Sequence, residues 1–186
     1  MSVRSVGGKN VPAVGTWAID PTHTSISAVA RHLMVSKVRG SFGTFSGTIV
    51  VAEDPKDSSV EVVIDAASID TKVEDRDNHL RSPDFLDVEN HPQLTFKSTS
   101  IEADGDDWTV IGDLTMRGVT HPVELDVEFL GVMNDPWGNP KAIFEAEAKI
   151  DREQWGLTWN APLETGGVLV SKEFKIDIAA QAALQA

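Results

Sequence analysis

Alternation of apolar and polar residues, repeated along most of the chain, constrains the fold more than any other feature. Val123, Leu125, Val127 and Phe129 alternate with Glu124, Asp126 and Glu128. Phe144, Ala146, Ala148 and Ile150 alternate with Glu145, Glu147, Lys149 and Asp151, and Phe174, Ile176 and Ile178 alternate with Lys175 and Asp177. Val60, Val62 and Ile64 share one face; Trp108, Val110, Leu114 and Met116 share another. A period of two puts every second side chain on the same side of a strand. Each run therefore predicts a strand with one dry and one wet face, the signature of antiparallel sheet.

Turn residues separate these runs. Asp54-Pro55-Lys56-Asp57 divides a strand near 42–53 from one near 58–67, and Asp104-Gly105 marks a hairpin between strands near 93–103 and 107–117. Gly118 precedes a return along 120–132, and Asp135-Pro136-Trp137-Gly138-Asn139 turns the chain into a strand at 141–151. Segments 15–20, 24–32 and 168–179 complete eight or nine strands. Successive strands joined by short turns form an up-and-down meander, which hides its edges most safely by closing. The expected fold is all-β: an extended eight-stranded antiparallel barrel over residues 15–186, preceded by a short mobile leader over 1–14.

One stretch departs from period two. Thr71-Lys72-Val73-Glu74 reads as a capping box with Thr71 as N-cap. Asp77 and Arg81 stand at i,i+4 and can pair, and Ser82-Pro83 reads as a second helix start. Residues 72–88 are thus expected as one or two short helices near one end of the barrel. The tail from Ala179 to Ala186 has no assignable pattern.

Charge and residue content narrow the function classes. Lys and Arg number 16 against 29 Asp and Glu, a net charge of −13. Such a chain repels phosphate backbones, so no nucleic-acid partner is expected, and electrostatic docking on an anionic membrane leaflet is disfavoured. No apolar run approaches the roughly 20 residues of a membrane helix, so no stable membrane insertion is expected. The absence of cysteine removes disulfides, thiol nucleophiles and iron–sulfur ligation. The first ten residues carry no apolar signal core, which reads as a cytoplasmic chain or as a mature form whose signal has been removed.

An eight-stranded barrel either fills with side chains or holds one small ligand. Ala28, Ala30, Gly47, Gly112, Ala146 and Ala148 are small residues at inward positions and leave room near the axis, while Phe45, Ile49, Phe96, Leu114 and Phe129 would line that room with hydrocarbon. The alternative is a flattened, filled barrel in which small residues let the sheets approach. The pattern alone does not separate the two.

Several strings then occur in a characteristic order: Trp17-Ala18-Ile19-Asp20-Pro21-Thr22-His23-Thr24, His32-Leu33-Met34, Gly40-Ser41-Phe42, and Ala67-Ser68-Ile69-Asp70-Thr71. Arg76-Asp77-Asn78-His79-Leu80-Arg81-Ser82-Pro83-Asp84-Phe85-Leu86-Asp87 follows, then His91-Pro92, Phe96-Lys97-Ser98 and Gly112-Asp113-Leu114-Thr115-Met116-Arg117-Gly118-Val119-Thr120-His121-Pro122-Val123. Ile150-Asp151-Arg152, Trp155-Gly156 and Lys175-Ile176-Asp177-Ile178 complete the set. This ordered set resembles the YceI-like family over about residues 15–180. The resemblance implies a lipocalin-like barrel holding a polyisoprenoid chain, such as a prenyl pyrophosphate or an isoprenoid quinone tail, for sequestration or transport. It also implies a homodimer. No cofactor beyond the bound lipid is expected. The residues expected around the ligand are Trp17, Ala28, Ala30, His32, Phe42, Phe45, Ile49, Leu80, Arg81, Phe85, Phe96, Leu114, Phe129, Phe144 and Trp155.

Catalytic motifs are weak by comparison. His23 and His32 lie nine residues apart, which on one uninterrupted strand places them on opposite faces; a turn or bulge would be needed to join them, and the sequence holds no HExxH or HxH motif, so no metal site is expected. No serine stands in a GxSxG elbow, and the glycines of Gly40-Ser41-Phe42-Gly43-Thr44-Phe45-Ser46-Gly47 fit a bend at the barrel rim rather than a phosphate loop. No catalytic residue is assigned. Arg76, Arg81 and His79 are either head-group contacts at the barrel mouth or pins holding the helix to the barrel. Trp108 and Trp159 either line the tunnel or pack in the core. Two rivals to a lipid carrier stand: an enzyme acting on a lipophilic substrate in the same barrel, and a filled barrel serving as a stress-response scaffold.

Overall fold

The alternating runs become the long strands of one closed sheet. The computed structural model describes residues 2–104 and 107–186. Its strands are β1 (Val3–Val6), β2 (Lys9–Pro12), β3 (Gly15–Ile19), β4 (Ser25–His32), β5 (Ser36–Phe42), β6 (Phe45–Val51), β7 (Ser59–Asp65), β8 (Ile69–Asp70), β9 (Gln93–Asp104), β10 (Asp107–Met116), β11 (Val119–Asn134), β12 (Pro140–Asp151) and β13 (Glu173–Leu184). A single α-helix among the described residues, α1 (Glu74–Arg81), interrupts them. The expected Asp104-Gly105 turn falls partly outside the described residues, since Gly105 is not among them.

Apart from the β1–β2 hairpin, the strands form one antiparallel sheet in the order β12-β11-β10-β9-β7-β6-β3-β13-β4-β5-β8, and a β12–β13 ladder closes it. Three pairs of consecutive segments each act as one bent strand. β13 pairs Leu184 with Trp17 of β3 and Lys175 with Val29 of β4, so β3 and β4 continue one another across the irregular turn at 20–24. β5 and β6 bend at Gly43-Thr44, and β7 continues into β8. Counted this way the barrel has eight antiparallel strands, and closure leaves no long free edge for other chains to join.

The first fourteen residues are not a loose leader. β1 and β2 pair around Gly7 and Gly8, whose φ values of 58° and 81° make the left-handed two-residue turn that glycine adopts without steric cost. Val11 is buried, Arg4 donates to the carbonyls of Pro12, Ala52 and Glu53, and the Lys9 ammonium lies 5.1 Å from the Trp108 ring centroid. The hairpin covers one end of the barrel, beside the 3-10 turn Pro55–Asp57.

The opposite end carries α1, the segment 152–172 and the β4–β5 turn. Here the local expectations need correction. Val73, not Thr71, caps α1, and it supplies no side-chain bond. Thr71 instead donates its backbone N–H (2.8 Å) and its hydroxyl (2.5 Å) to the buried Asp77 carboxylate. That carboxylate is therefore not paired with Arg81, whose guanidinium donates to the carbonyls of Ala67 (2.8 Å) and Ile69 (2.9 Å). Ser82 ends the helix rather than starting a second one; its hydroxyl donates to His79 O at 2.6 Å and irregular turns follow. At the other limit of the chain, β13 runs through Leu184 instead of stopping at 179, and 168–172 lies outside any strand.

Candidate functional site

The barrel is hollow. An apolar cavity of about 450 Å³ runs along its interior, within the roughly 300–1,000 Å³ typical of small-molecule sites. The filled-barrel expectation is not what the structure shows. Alternate residues face this space over parts of the long strands, such as Val123, Leu125, Val127 and Phe129 of β11 and Phe174, Ile176, Ile178 and Ala180 of β13, so the alternation that folds the sheet also builds the wall. Of the small residues, Ala28, Ala30 and Ala146 border the cavity, and Ala148 packs in the core. Gly112 works differently: a Cβ there would sit 2.7 Å from Lys97 O and clash with the Phe96 ring edge at Cζ and Cε2, so its bareness lets Phe96 lie against the sheet.

Ala28, Ala30, His32, Phe42, Ile49, Leu80, Phe85, Phe96, Leu114, Phe129 and Phe144 lie on the wall, as do Trp108 and Trp159. Four other residues expected around the ligand do not. Trp17 is fully buried, donates its indole N–H to Ala13 O at 3.0 Å, and packs with Val51, Ala142 and Ala182 behind the wall residues Ile49, Phe129 and Phe144. Phe45 is absorbed into the core cluster that contains Ile64, Phe85 and Leu94. Trp155 is buried with its indole N–H on Leu114 O at 2.9 Å and its ring edge-on to His121. Arg81 is a pin: its hydrogen bonds tie α1 to the 67–69 segment.

Polar groups on the wall are unevenly placed. Its ionisable residues are Arg31, His32, Arg76, His79 and Arg152, all at the α1 end, and no Asp or Glu borders the cavity among the described residues. Towards the β1–β2 end the wall is hydrocarbon, apart from the hydroxyls of Thr24, Ser27 and Ser58. Arg76 donates to Thr71 Oγ1 (2.8 Å) and Thr71 O (2.9 Å). His79 Nε2 lies 2.8 Å from Asp84 Oδ2, and its ring meets Phe85 and Trp159 edge-on.

Arg152 is the functional candidate that the sequence reading missed. It is 0% exposed, yet its guanidinium bonds only main-chain carbonyls: Leu157 O at 2.6 Å, Ser171 O at 2.9 Å and Val170 O at 3.5 Å. The neighbouring carboxylates are engaged elsewhere, Asp151 with the Glu153 N–H and Glu153 with Lys172. Burial pushes the guanidinium pKa below its ordinary value, but an arginine stays charged in any protein environment. A positive charge with no carboxylate in hydrogen-bond contact, held by main-chain carbonyls and 5.8 Å from the Phe85 ring centroid, therefore stands at one end of a hydrocarbon bore. His23 and His32 are not brought together: His23 Nδ1 lies 3.0 Å from Asp20 Oδ2, while His32 lies on the wall. No cluster of three or more His, Asp or Glu with metal-holding geometry occurs among the described residues.

A closed antiparallel barrel wrapped around a ligand-sized apolar cavity defines a small-molecule-binding barrel. Residues 17–182 match the model of the YceI-like domain, and the chain belongs to that family. It is 44% identical over 159 residues to the UPF0312 protein ECA1782 of Pectobacterium atrosepticum, covering 85% of this chain and 83% of the relative. Its structure is similar to that of BcnA of Burkholderia cenocepacia, with TM-score 0.75 and 24% identity over 88% of this chain and 98% of the other. It is also similar to a polyisoprenoid binding domain from Saccharophagus degradans implicated in plant cell wall breakdown, with TM-score 0.66 and 16% identity over 93% and 100% of the two chains.

Proposed function

We propose that this protein is a non-enzymatic carrier that holds a polyisoprenoid chain in the barrel, with the tail towards the β1–β2 hairpin and the head group at the α1 end. The observation that carries this reading is the asymmetry of the wall: hydrocarbon along its length, cations and imidazoles at one end. Tail burial drives affinity at about 25 cal/mol per Å² of apolar surface, less the cost of ordering the chain. The fold shared with a polyisoprenoid binding domain supports it. Ala28, Ala30, Phe42, Ile49, Leu80, Phe85, Phe96, Leu114, Phe129 and Phe144 contact the tail, and Arg152, Arg76, His79 and His32 face the head group. Of the two head groups, a wall end carrying Arg31, Arg76 and Arg152, with no carboxylate among the described residues, favours a pyrophosphate over a neutral quinone, because a buried anion needs opposite charge. Away from the α1 end the described wall residues are apolar or hydroxyl-bearing, which favours carriage over catalysis by a titratable group deep in the bore. Carriage by a homodimer in the cytoplasm is part of the proposal.

The direct test is native mass spectrometry of the purified protein, followed by solvent extraction and identification of the released lipid. A retained polyprenyl species, or uptake of an added polyprenyl pyrophosphate with one molecule per chain, is the expected result. A protein that emerges empty and refuses both polyprenyl pyrophosphate and isoprenoid quinone defeats the reading.

A further inference from the structure

The β4–β5 hairpin ends in three consecutive large apolar residues turned outward. Leu33, Met34 and Val35 are 47%, 57% and 75% exposed. Leu33 and Met34 take φ values of 53° and 64°, a backbone region costly for side-chain-bearing residues. At Gly7, Gly8 and Gly118 the same region is occupied by glycine. At this tip the chain keeps leucine and methionine instead, and projects them into solvent.

Along the sequence, the tip lies in a stretch whose charge is opposite to that of the molecule. Of 29 acidic residues, none falls between Asp20 and Glu53, and the same interval carries Arg31, Lys37 and Arg39. Arg39 is paired with Asp177 at 3.0 Å, whereas Arg31 and Lys37 form no ion pair among the described residues. The 163–167 turn, which carries Glu164, packs beside Met34 through Gly167. Screening limits interactions between exposed charges to about 8 Å at physiological salt, so the net charge of −13 does not cancel a local basic apolar edge. The expectation that an acidic chain avoids anionic leaflets treats its charge as evenly spread, which it is not.

The tip also adjoins the cavity. Arg31 and His32 are wall residues, and Arg31 is the exposed one among them. The Leu33 N–H donates to Leu169 O at 2.9 Å and His32 bridges to Val170, both carbonyl-side neighbours on the same wall. The other exposed apolar group, Leu130, Met133 and Trp137, belongs to the β11–β12 hairpin at the far end of β13, beside Asp135. Its nearest cation, Lys141 opposite Met133, is paired with Asp20 at 3.0 Å, and none of its three apolar residues borders the cavity.

We propose that the Leu33–Val35 tip inserts into the interface of an anionic lipid bilayer, with Arg31 and Lys37 against the lipid phosphates, and so presents the mouth of the cavity to the membrane. Apolar side chains entering the headgroup boundary beside cations is the general pattern of reversible interfacial binding. This goes beyond carriage of a particular lipid and does not depend on it, because vesicle binding is read without any cavity ligand.

The chain has no cysteine, so Val35→Cys gives a single site for an environment-sensitive fluorophore, and Trp137→Cys gives the same at the opposite end. The probes are vesicles of phosphatidylcholine alone and of phosphatidylcholine with phosphatidylglycerol in equal parts. The expected result is a blue shift with a several-fold intensity rise for the label at 35, with anionic vesicles only, and no response at 137. In co-sedimentation, the unlabelled wild-type protein binds anionic vesicles and releases them at high salt. Combined Leu33→Ser, Met34→Ser and Val35→Ser substitution lowers that affinity by roughly tenfold or more with unchanged thermal unfolding. Lys37→Glu, which leaves the tip intact, also weakens it. Failure of the wild-type protein to bind anionic vesicles at low salt overturns the proposal. So does equal binding to neutral vesicles, retained affinity in the serine variant, or a response at position 137.

Discussion

Filling the bore separates a ligand cavity from an incidental void, because the two expected effects have opposite signs. Ala146 lies mid-strand on β12, flanked by Val127 of β11 and Ile178 of β13, and all three border the cavity. Ala146→Phe places a phenyl ring in a space of about 450 Å³. A void of about 150 Å³ accommodates benzene, so one ring removes on the order of a third of the room. Displacing a single five-carbon unit forfeits about 4 kcal/mol at about 0.8 kcal/mol per buried carbon, close to a thousandfold in Kd. In the free protein the same ring gains apolar contacts, and filling of this kind typically adds about 0.5–2 kcal/mol. The Tm should therefore rise by about 2–4 °C per kcal/mol while polyprenyl binding falls. The outward-facing Ala179→Phe is the control and should leave binding unchanged. The assay is titration of delipidated protein with polyprenyl pyrophosphate, alongside thermal unfolding. Wild-type affinity in Ala146→Phe would refute the assignment of this cavity as the binding site, and a variant that loses both stability and binding would show that the ring does not fit there.

Three further outcomes follow from single interactions. Arg152→Met leaves the carbonyls of Leu157 and Ser171 without their guanidinium donor and should cost on the order of 3 kcal/mol in urea unfolding, with faster amide exchange confined to 156–172. Asp20 is held well below the usual carboxylate range by the Thr22 hydroxyl, then by His23 and Lys141. A carboxylate depressed in the folded state stabilises it above the ordinary value of 3.8 and loses that contribution as pH falls below it, so Asp20→Asn should lower stability at neutral pH by about 1–2 kcal/mol and flatten the acid limb of the stability–pH curve. Gly112→Ala drives a methyl against Lys97 O, 2.7 Å away, and against Phe96; calorimetry should show a loss of about 1–3 kcal/mol.

The strands from β9 to β13 were legible because period two survives wherever one face is dry. The end of β13 was not. Ala179-Ala180-Gln181-Ala182-Ala183-Leu184 has helical rather than strand propensity, and only its ladders to Lys141–Glu145 and to Trp17–Ile19 make it a strand. The N-terminal hairpin had a readable signal in Gly7-Gly8 between two short runs, of the kind two-residue turns require. The capping box at Thr71 was a correct local pattern overridden by a buried carboxylate six residues on. The apolar wall followed from the same alternation as the sheet. Arg152 did not, since the three carbonyls that hold it come from the segment 157–171, whose path no periodicity describes. The cationic end was hidden for a related reason: a chain-wide charge sum cannot say which face each charge occupies.

Closure of the β12–β13 ladder has a consequence for traffic. A seam that cannot part without breaking eleven paired positions from Lys141↔Ala183 to Asp151↔Glu173 forbids sideways entry. With the β1–β2 hairpin stoppering one end, a polyisoprenoid carried as proposed would thread lengthwise, tail leading and polar terminus last. A molecule polar at both termini cannot complete that passage, and this sieve would operate before any contact with the cations at the rim.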